Sequence, residues 1–378
     1  MKRISITPRE NYIKKLEELF FDFHSIDGIY WNESAYYEFN MSQVEEIESV
    51  TNKLFEMCLT AVQHVIDNKL YDKLHIDPLL IPLIEQSWEE EHASVYGRFD
   101  FGYDGVNPPK MLEFNADTPT SLYEGSVVQW HWLQDAFKDK DQFNSIHEKL
   151  IEYWKSCLEY FDEETVYFTS VDTIEDFTTT EYLRDTAFQA GLKTKYIKLE
   201  DIGWDEEKKE FVDLDDERIL NIFKLYPWEW LINENFGKNI VADRADTMWF
   251  EPAWKAILSN KGILPILWKL FPGHENLLPS YFENEFGYYG DYVTKPIYSR
   301  EGANVSIFTN GILETSTDGE YGEEGVIYQK LYDIPNYNGN YPIIGSWIIG
   351  GESAGMGIRE SDTKITNNLS RFVPHIIN

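Results

Sequence analysis

RFDFGYDGVNPPKMLEFN, residues 98–115, is the stretch that decides the architecture. Residues 98–103 alternate in character and residues 111–115 alternate again, with the turn-rich YDGVNPPK between them, so the segment reads as a β-hairpin. Side chains alternate faces along a strand, so Arg98 and Asp100 share one face while Phe99, Phe101 and Tyr103 occupy the other. On the second strand Glu113 and Asn115 lie opposite Leu112 and Phe114. If the strands pair in matching register, Asp100, Glu113 and Asn115 converge. Three hard oxygen donors at one spot suit Mg²⁺, which keeps waters and substrate phosphates as its other ligands. Arg98 beside them is placed to stabilise transferring phosphoryl or acyl charge. Alternation alone leaves a plainer reading open, a half-exposed hairpin with a polar outer face.

Outward from the hairpin, the first ~90 residues read as helical. Ser42 and Glu45 form a capping-box pattern. Val44, Ile47, Leu54, Cys58, Ala61, Val62, Val65 and Ile66 then recur at helical spacing, which predicts a long amphipathic helix to about Asn68. Residues 144–161 predict another helix, with Ile146, Leu150, Trp154 and Leu158 on one side. VYFTSV (166–171) is an apolar strand, Thr173 and Asp176 start a helix, Gly191 stops it, and KTKYIKL (193–199) and ILNIFKL (219–225) are further strands. That order implies a partly parallel sheet. ADTMWFEPAWKAILSN (245–260) reads as helical, GILPILW (262–268) as strand-like, and the remainder as short strands rich in Gly, Tyr and Ile. The class is α/β or α+β, without repeats or a long linker.

The chain has 378 residues, 33 basic against 66 acidic, for a net charge of −33. Nonspecific binding to nucleic-acid phosphates needs a basic face, so that class is excluded, whereas a cationic ligand such as a polyamine would be attracted. Cys58 and Cys157 lie in apolar helical patterns, with no Cys/His cluster. This fits buried structural thiols in a reducing compartment. MKRISITPRE lacks the apolar stretch of a signal peptide, and no run is long enough to span a membrane. The expectation is a soluble cytoplasmic protein with no membrane or nucleic-acid partner; its oligomeric state is not legible.

Lys261 precedes GILPILW, and Lys295 ends DYVTK just before the small polar loop Ser299-Arg300-Glu301-Gly302-Ala303-Asn304. Lysines beside such a loop suit nucleotide phosphates, though each taken alone reads first as a solvated surface charge. IIGGESAGMGIR (348–359) matches neither GxGxxG nor GxxxxGK[ST]. It reads as a turn whose use is to place Arg359. HExxH and GxSxG are absent, and the many carboxylates single out no glycosidase pair.

Together these pieces resemble the synthetase domain of the glutathionylspermidine synthase family, and within it single-domain bacterial homologues. The supporting segments are FDFHSIDGIYWNESAYYEF (21–39), GRFDF (97–101), LEFNADTPTSLYEG (112–125), KLYPWEW (224–230), MWFEPAWKAILSNKGILPILWKLFPGHENLLPSYF (248–282), TKPIYSREGANV (294–305), IYQKLYDIP (327–335) and GIRES (357–361). The resemblance implies an ATP-grasp fold over the whole of 1–378. Its approximate parts are an N-terminal helical segment (1–95), the metal-site hairpin and helices (96–165), a preATP-grasp-like βαβ part (166–235), and the lid and C-terminal nucleotide-binding part (236–378). It implies a Mg²⁺/ATP-dependent ligase that joins a peptide or amino-acid carboxylate to a polyamine or other amine through an acylphosphate.

By the same resemblance Asp100, Glu113 and Asn115 hold two Mg²⁺ ions, Arg98 and Arg359 stabilise the reacting groups, and Lys261 and Lys295 grip ATP phosphates. Ser299, Arg300, Glu301, Gly302 and Ala303 belong to the lid over the triphosphate, and Gln329, Lys330 and Leu331 meet the adenine. Thr118 and Thr120 stand where the family has serines near its peptide substrate, and Glu229 in PWEW matches an acidic position near the amine. Hydrolysis of the product, which the bifunctional members carry out with a separate amidase domain, is not expected. The alternative is a nucleotide-binding protein of this fold with a regulatory or assembly role and no ligase chemistry. Acidic and aromatic richness alone also suggests a carbohydrate-active enzyme, which the lysines and hairpin disfavour.

Overall fold

A computed structural model describes residues 1–378 apart from 26–27, 162–163, 244–245 and 368–369. The chain is mixed α/β. Its centre is a five-stranded antiparallel sheet in the order Arg371–Val373, Glu352–Ser361, Tyr341–Ile349, Tyr96–Gly102, Lys110–Asn115. The last two strands are the hairpin, with Arg98 opposite Asn115 and Asp100 opposite Glu113. Phe99 stacks on Phe114 at 3.9 Å, and Phe55 of the long helix Met41–Asp67 meets Phe114 edge-on. The aromatic face is thus fixed against a helix, which fixes the register, because a one-residue slip would turn every side chain over.

The polar face is covered too. Tyr96–Gly102 is buried throughout, with Arg98 5% and Asp100 3% exposed, so the half-exposed reading is corrected for this strand. Glycine permits this crowding, since a Cβ on Gly345 would lie 2.7 Å from the Arg98 side chain. Gly350 and Gly351, both at positive φ, turn Tyr341–Ile349 back into Glu352–Ser361 and carry Arg359 to the hairpin.

A parallel sheet, in the order Met248–Phe250, Asn221–Leu225, Val166–Ser170, Thr194–Tyr196, lies beside it. Its crossover helix Ile174–Gln189 is capped where the sequence indicated, the Thr173 hydroxyl accepting from the Asp176 N–H at 3.2 Å. Another antiparallel sheet, ordered Ser280–Tyr281, Val326–Lys330, Tyr292–Pro296, Ser306–Thr309, Ile312–Ser316, roofs the polar face of the hairpin through Lys295, whose ammonium reaches the Leu112 carbonyl.

Four expectations are corrected. The first ~90 residues are not wholly helical: Lys2–Ser5 and Ala35–Phe39 form a sheet with His375–Ile377. The capping box is Asn40 with Gln43, not Ser42 with Glu45; the Ser42 hydroxyl donates to Asn40 instead. Within 245–260, of which Ala245 lies outside the described residues, a strand Met248–Phe250 precedes the helix Lys255–Ser259. GILPILW belongs to the helix Ile263–Leu270; an unbroken apolar run carries no period, and Pro265 in a first turn surrenders no hydrogen bond.

Candidate active site

The hairpin's polar face is a cluster of opposite charges. Arg98 Nε donates to Asp100 Oδ1 at 2.8 Å and Nη2 to Oδ2 at 3.3 Å. Arg359 Nη2 donates to the same Oδ2. Asn115 Nδ2 lies 3.3 Å from both Asp100 Oδ2 and Glu113 Oε1. Lys261 Nζ pairs with Glu113 Oε2 at 3.2 Å and also donates to the Ser299 carbonyl. Lys295 Nζ donates to the Leu112 carbonyl and to Gln329 Oε1, each at 2.8 Å. Two carboxylates therefore stand among four cations.

Burial acts to raise the Glu113 carboxyl, but the charges of Lys261, Lys295 and Arg359 outweigh it and hold the group well below the usual carboxylate range. Burial, reinforced by Lys261 and opposed by Glu113 and Asp100, lowers the Lys295 ammonium to about 8.

Two clefts meet at this cluster. One, of about 750 Å³, is walled by Val293, Val305, Ile307, Leu331, Ile334 and Ile343, with Asp100, Glu113, Lys261 and Lys295 at its end. Gln329, Lys330 and Leu331 line it together. The other, of about 840 Å³, is lined by Arg98, Asn115, Thr118, Thr120, Asp176, Trp230 and Arg300 among others. Glu113, Gly302 and Thr366 border both.

The loop of residues 299–304 divides between them. Gly302 faces both clefts, while Arg300 and Glu301 face only the second. The Ser299 hydroxyl donates to the Ala303 carbonyl at 2.5 Å, closing the loop on itself. Arg300 Nη1 donates to Thr118 Oγ1 at 2.8 Å, Nη2 pairs with Glu229, and the guanidinium lies 5.6 Å from the Trp230 ring. Arg300 is thus turned away from the Lys261–Lys295 end, and Glu229 is held by it. Thr120 presents its carbonyl to Arg98 Nη1.

Sequence reasoning missed Asp176 as a residue of the second cleft, and with it two buried carboxyls nearby. Asp176 lines it, and burial raises its carboxyl. Glu175 beside it is raised by burial as well. Glu124, which accepts from Tyr30 Oη at 2.5 Å, is pushed up to about 7 by burial and by Glu175. Asp176 had a sequence signal, but its place in the helix cap fully accounted for it.

Beneath the second cleft, Lys224 Nζ pairs with Asp117 Oδ1 at 2.8 Å with both side chains wholly buried, and Asp117 Oδ2 accepts from the Trp228 N–H. This pair ties the segment carrying Thr118 and Thr120 to the short helix Trp228–Leu231, which carries Glu229 and Trp230.

Two carboxylates and one amide lie within mutual hydrogen-bond reach, residue types that suit a hard divalent cation once the amide turns its oxygen, in place of Nδ2, toward them. No group of three or more His, Cys, Asp or Glu that could hold a metal ion gathers among the described residues. No helix among them is long and apolar enough to cross a membrane.

An α/β protein with two clefts converging on clustered cations and carboxylates is a frame for charged-group transfer. The chain belongs to the glutathionylspermidine synthase family: the family model "Glutathionylspermidine synthase preATP-grasp" matches residues 3–378. A Haemophilus influenzae protein named "Putative acid--amine ligase" is 42% identical over 99% of both chains. The trypanothione synthetase of Crithidia fasciculata is 31% identical over 85% of this chain and 53% of its own. The bifunctional glutathionylspermidine synthetase/amidase of Escherichia coli is 27% identical over 90% of this chain and 59% of its own. The chain thus spans little more than half of these last two relatives.

Proposed function

We propose that this chain is an ATP-dependent acid–amine ligase of ATP-grasp type. The observation that carries the reading is the meeting of two clefts at Glu113, with Lys261 and Lys295 on one side and Arg98, Arg359 and Asn115 on the other. ATP lies in the apolar-walled cleft, its adenine against Gln329, Lys330 and Leu331 and its phosphates on Lys261 and Lys295. The acid enters the second cleft with its carboxylate toward Arg98 and Arg359. The γ-phosphoryl group passes to that carboxylate, giving an acylphosphate and ADP. An amine then attacks the carbonyl, the C–O bond breaks, and inorganic phosphate leaves with an amide formed.

The chain's own residues supply position and charge, which dominate phosphoryl transfer. Arg98 is pre-oriented by Asp100 and the Thr120 carbonyl, so it faces developing negative charge without rearranging. Asp100, Glu113 and Asn115 would hold magnesium, which supplies charge neutralisation for the phosphates. Asp176, with Glu175 behind it, offers carboxyls to a cationic amine and an acceptor for the proton it must lose. Thr118 and Thr120 border the acid. Glu229 holds Arg300 at the rim, so it acts on substrate through that arginine.

The test is ADP release measured across a matrix of amino acids and short peptides against di- and polyamines, with products read by mass spectrometry. The reading requires ADP only when acid and amine are both present, and a product mass equal to their sum less water. Tight ADP binding without turnover on any pair, joined to a partner protein whose binding depends on nucleotide, would favour the regulatory alternative.

A further inference from the structure

The metal ligands of this site are already neutralised by the protein. Asp100 Oδ1 receives Arg98 Nε, and Asp100 Oδ2 receives Arg98 Nη2, Asn115 Nδ2 and Arg359 Nη2. Glu113 Oε1 receives Asn115 Nδ2, and Oε2 faces Lys261 Nζ. All four carboxylate oxygens have a donor, and three of the four cations sit directly on them. Lys295 has no carboxylate partner among its hydrogen bonds; it rests on a carbonyl and an amide oxygen. Among the described residues, Arg359 Nε is buried without a hydrogen-bond partner.

The cluster thus carries about two more positive than negative charges, the reverse of a chain whose net charge is −33. A divalent cation approaching alone meets like charge and an Asp100 Oδ2 that already takes three donors, and displacing Arg98 from Asp100 would strand a buried guanidinium. A polyanion meets the opposite: an available ammonium, an unpaired guanidinium N–H and a net positive field.

We propose that divalent-metal binding at this site is conditional on a polyphosphate anion, with Arg359 and Lys261 as resident counter-ions that hold Asp100 and Glu113 until phosphate oxygens draw them away. The inference rests on the nucleotide reading of the apolar-walled cleft and deepens it. The order of loading is polyphosphate first and metal second: the polyanion binds without a metal, and the metal binds only after it. Arg359 consequently has two effects of opposite sign: it strengthens polyphosphate binding, and it suppresses binding of the bare metal.

The test follows Mn²⁺ by the electron-spin-resonance signal of the free ion, and ADP by calorimetry. Site-specific Mn²⁺ binding is the part abolished by Glu113→Gln, which separates it from ions condensed on the acidic surface. The wild-type protein without nucleotide is expected to have no such part, to bind ADP in metal-free buffer, and to take up Mn²⁺ once ADP is present. Arg359→Gln, and separately Lys261→Gln, is expected to strengthen nucleotide-free Mn²⁺ binding at least ~10-fold while weakening that of ADP. Tight, Glu113-dependent Mn²⁺ binding by the wild type alone overturns the proposal, as does an unchanged or weaker Mn²⁺ affinity in both variants. If ADP binds only when Mn²⁺ is present, the proposal fails and the nucleotide reading stands. If ADP binds under neither condition, the nucleotide reading fails and the proposal with it.

Discussion

Lys295 gives the account its most quantitative consequence. Its ammonium is enclosed, hydrogen-bonded at 2.8 Å to the Leu112 carbonyl and at 2.8 Å to Gln329 Oε1, neither of which carries charge. Burial is the main reason its pKa falls from 10.5 to about 8. With a pKa near 8, the lysine of the nucleotide-free protein is about nine-tenths charged at pH 7 and about one-tenth charged at pH 9. A bound phosphate favours the charged form, so binding at pH 9 must first restore the proton. Affinity for ADP is therefore expected to fall about tenfold from pH 7 to pH 9, or about 1.4 kcal/mol. The sign is fixed by linkage: the complex binds more protons than the free protein, so rising pH opposes binding. Calorimetry of ADP binding in buffers of different ionisation enthalpy reads the proton directly, with an expected uptake of about 0.9 per ADP at pH 9 against about 0.1 at pH 7. An affinity that does not change between pH 7 and 9, with no proton uptake at pH 9, would refute the argument that this lysine is desolvated and faces the phosphates.

Other substitutions separate the roles of neighbouring groups. Asp100→Ala leaves Arg98 and Arg359 without their shared carboxylate and is expected to destabilise the fold by about 3–5 kcal/mol in urea unfolding, where an unchanged midpoint would contradict the ion pairs. Lys224→Ala leaves Asp117 buried and half-satisfied; a loss of about 3–5 kcal/mol is expected in the same assay, with ADP affinity retained because the pair lines neither cleft. Arg300→Ala is expected to raise the KM for acid or amine at least ~10-fold while ADP affinity stays within about twofold, since the guanidinium faces the second cleft and lies on Glu229. A large loss of ADP affinity in that variant would instead return Arg300 to the phosphates.

Much of the hairpin could be read from sequence because a period of two leaves one choice of faces, and Phe99, Phe101 and Phe114 settle which face is apolar; the register shift that pairs Phe101 with Met111 and brings Leu112 to the cleft with Glu113 breaks that period and was not legible. The βαβ segment was legible for a similar reason, with Thr173 and Gly191 marking the ends of its helix. What covers the hairpin was not legible. Its polar face is roofed from the segment 280–330, and the clasp on Asp100 comes from Arg359, 259 residues away. Alternation reports two faces but not what packs on each. The same holds for Arg300 and Glu229, 71 residues apart. Ile263–Leu270 was misread because the stretch 262–268 that was read as strand-like is apolar throughout and has no period at all. Asp176 was half legible: its backbone N–H serves the helix cap that the sequence announced, while its carboxyl faces the second cleft, which only the fold could reveal.

The measurement that bears most directly on the central claim follows oxygen through the reaction. An acid labelled with ¹⁸O in its carboxylate is turned over with ATP and a competent amine, and the released nucleotide and phosphate are analysed by mass. The account predicts ADP as the only nucleotide product, with one ¹⁸O carried into inorganic phosphate per amide formed, because the carboxylate oxygen leaves with the phosphoryl group it received. Release of AMP, or phosphate free of label alongside amide formation, would contradict an acylphosphate made where the two clefts meet.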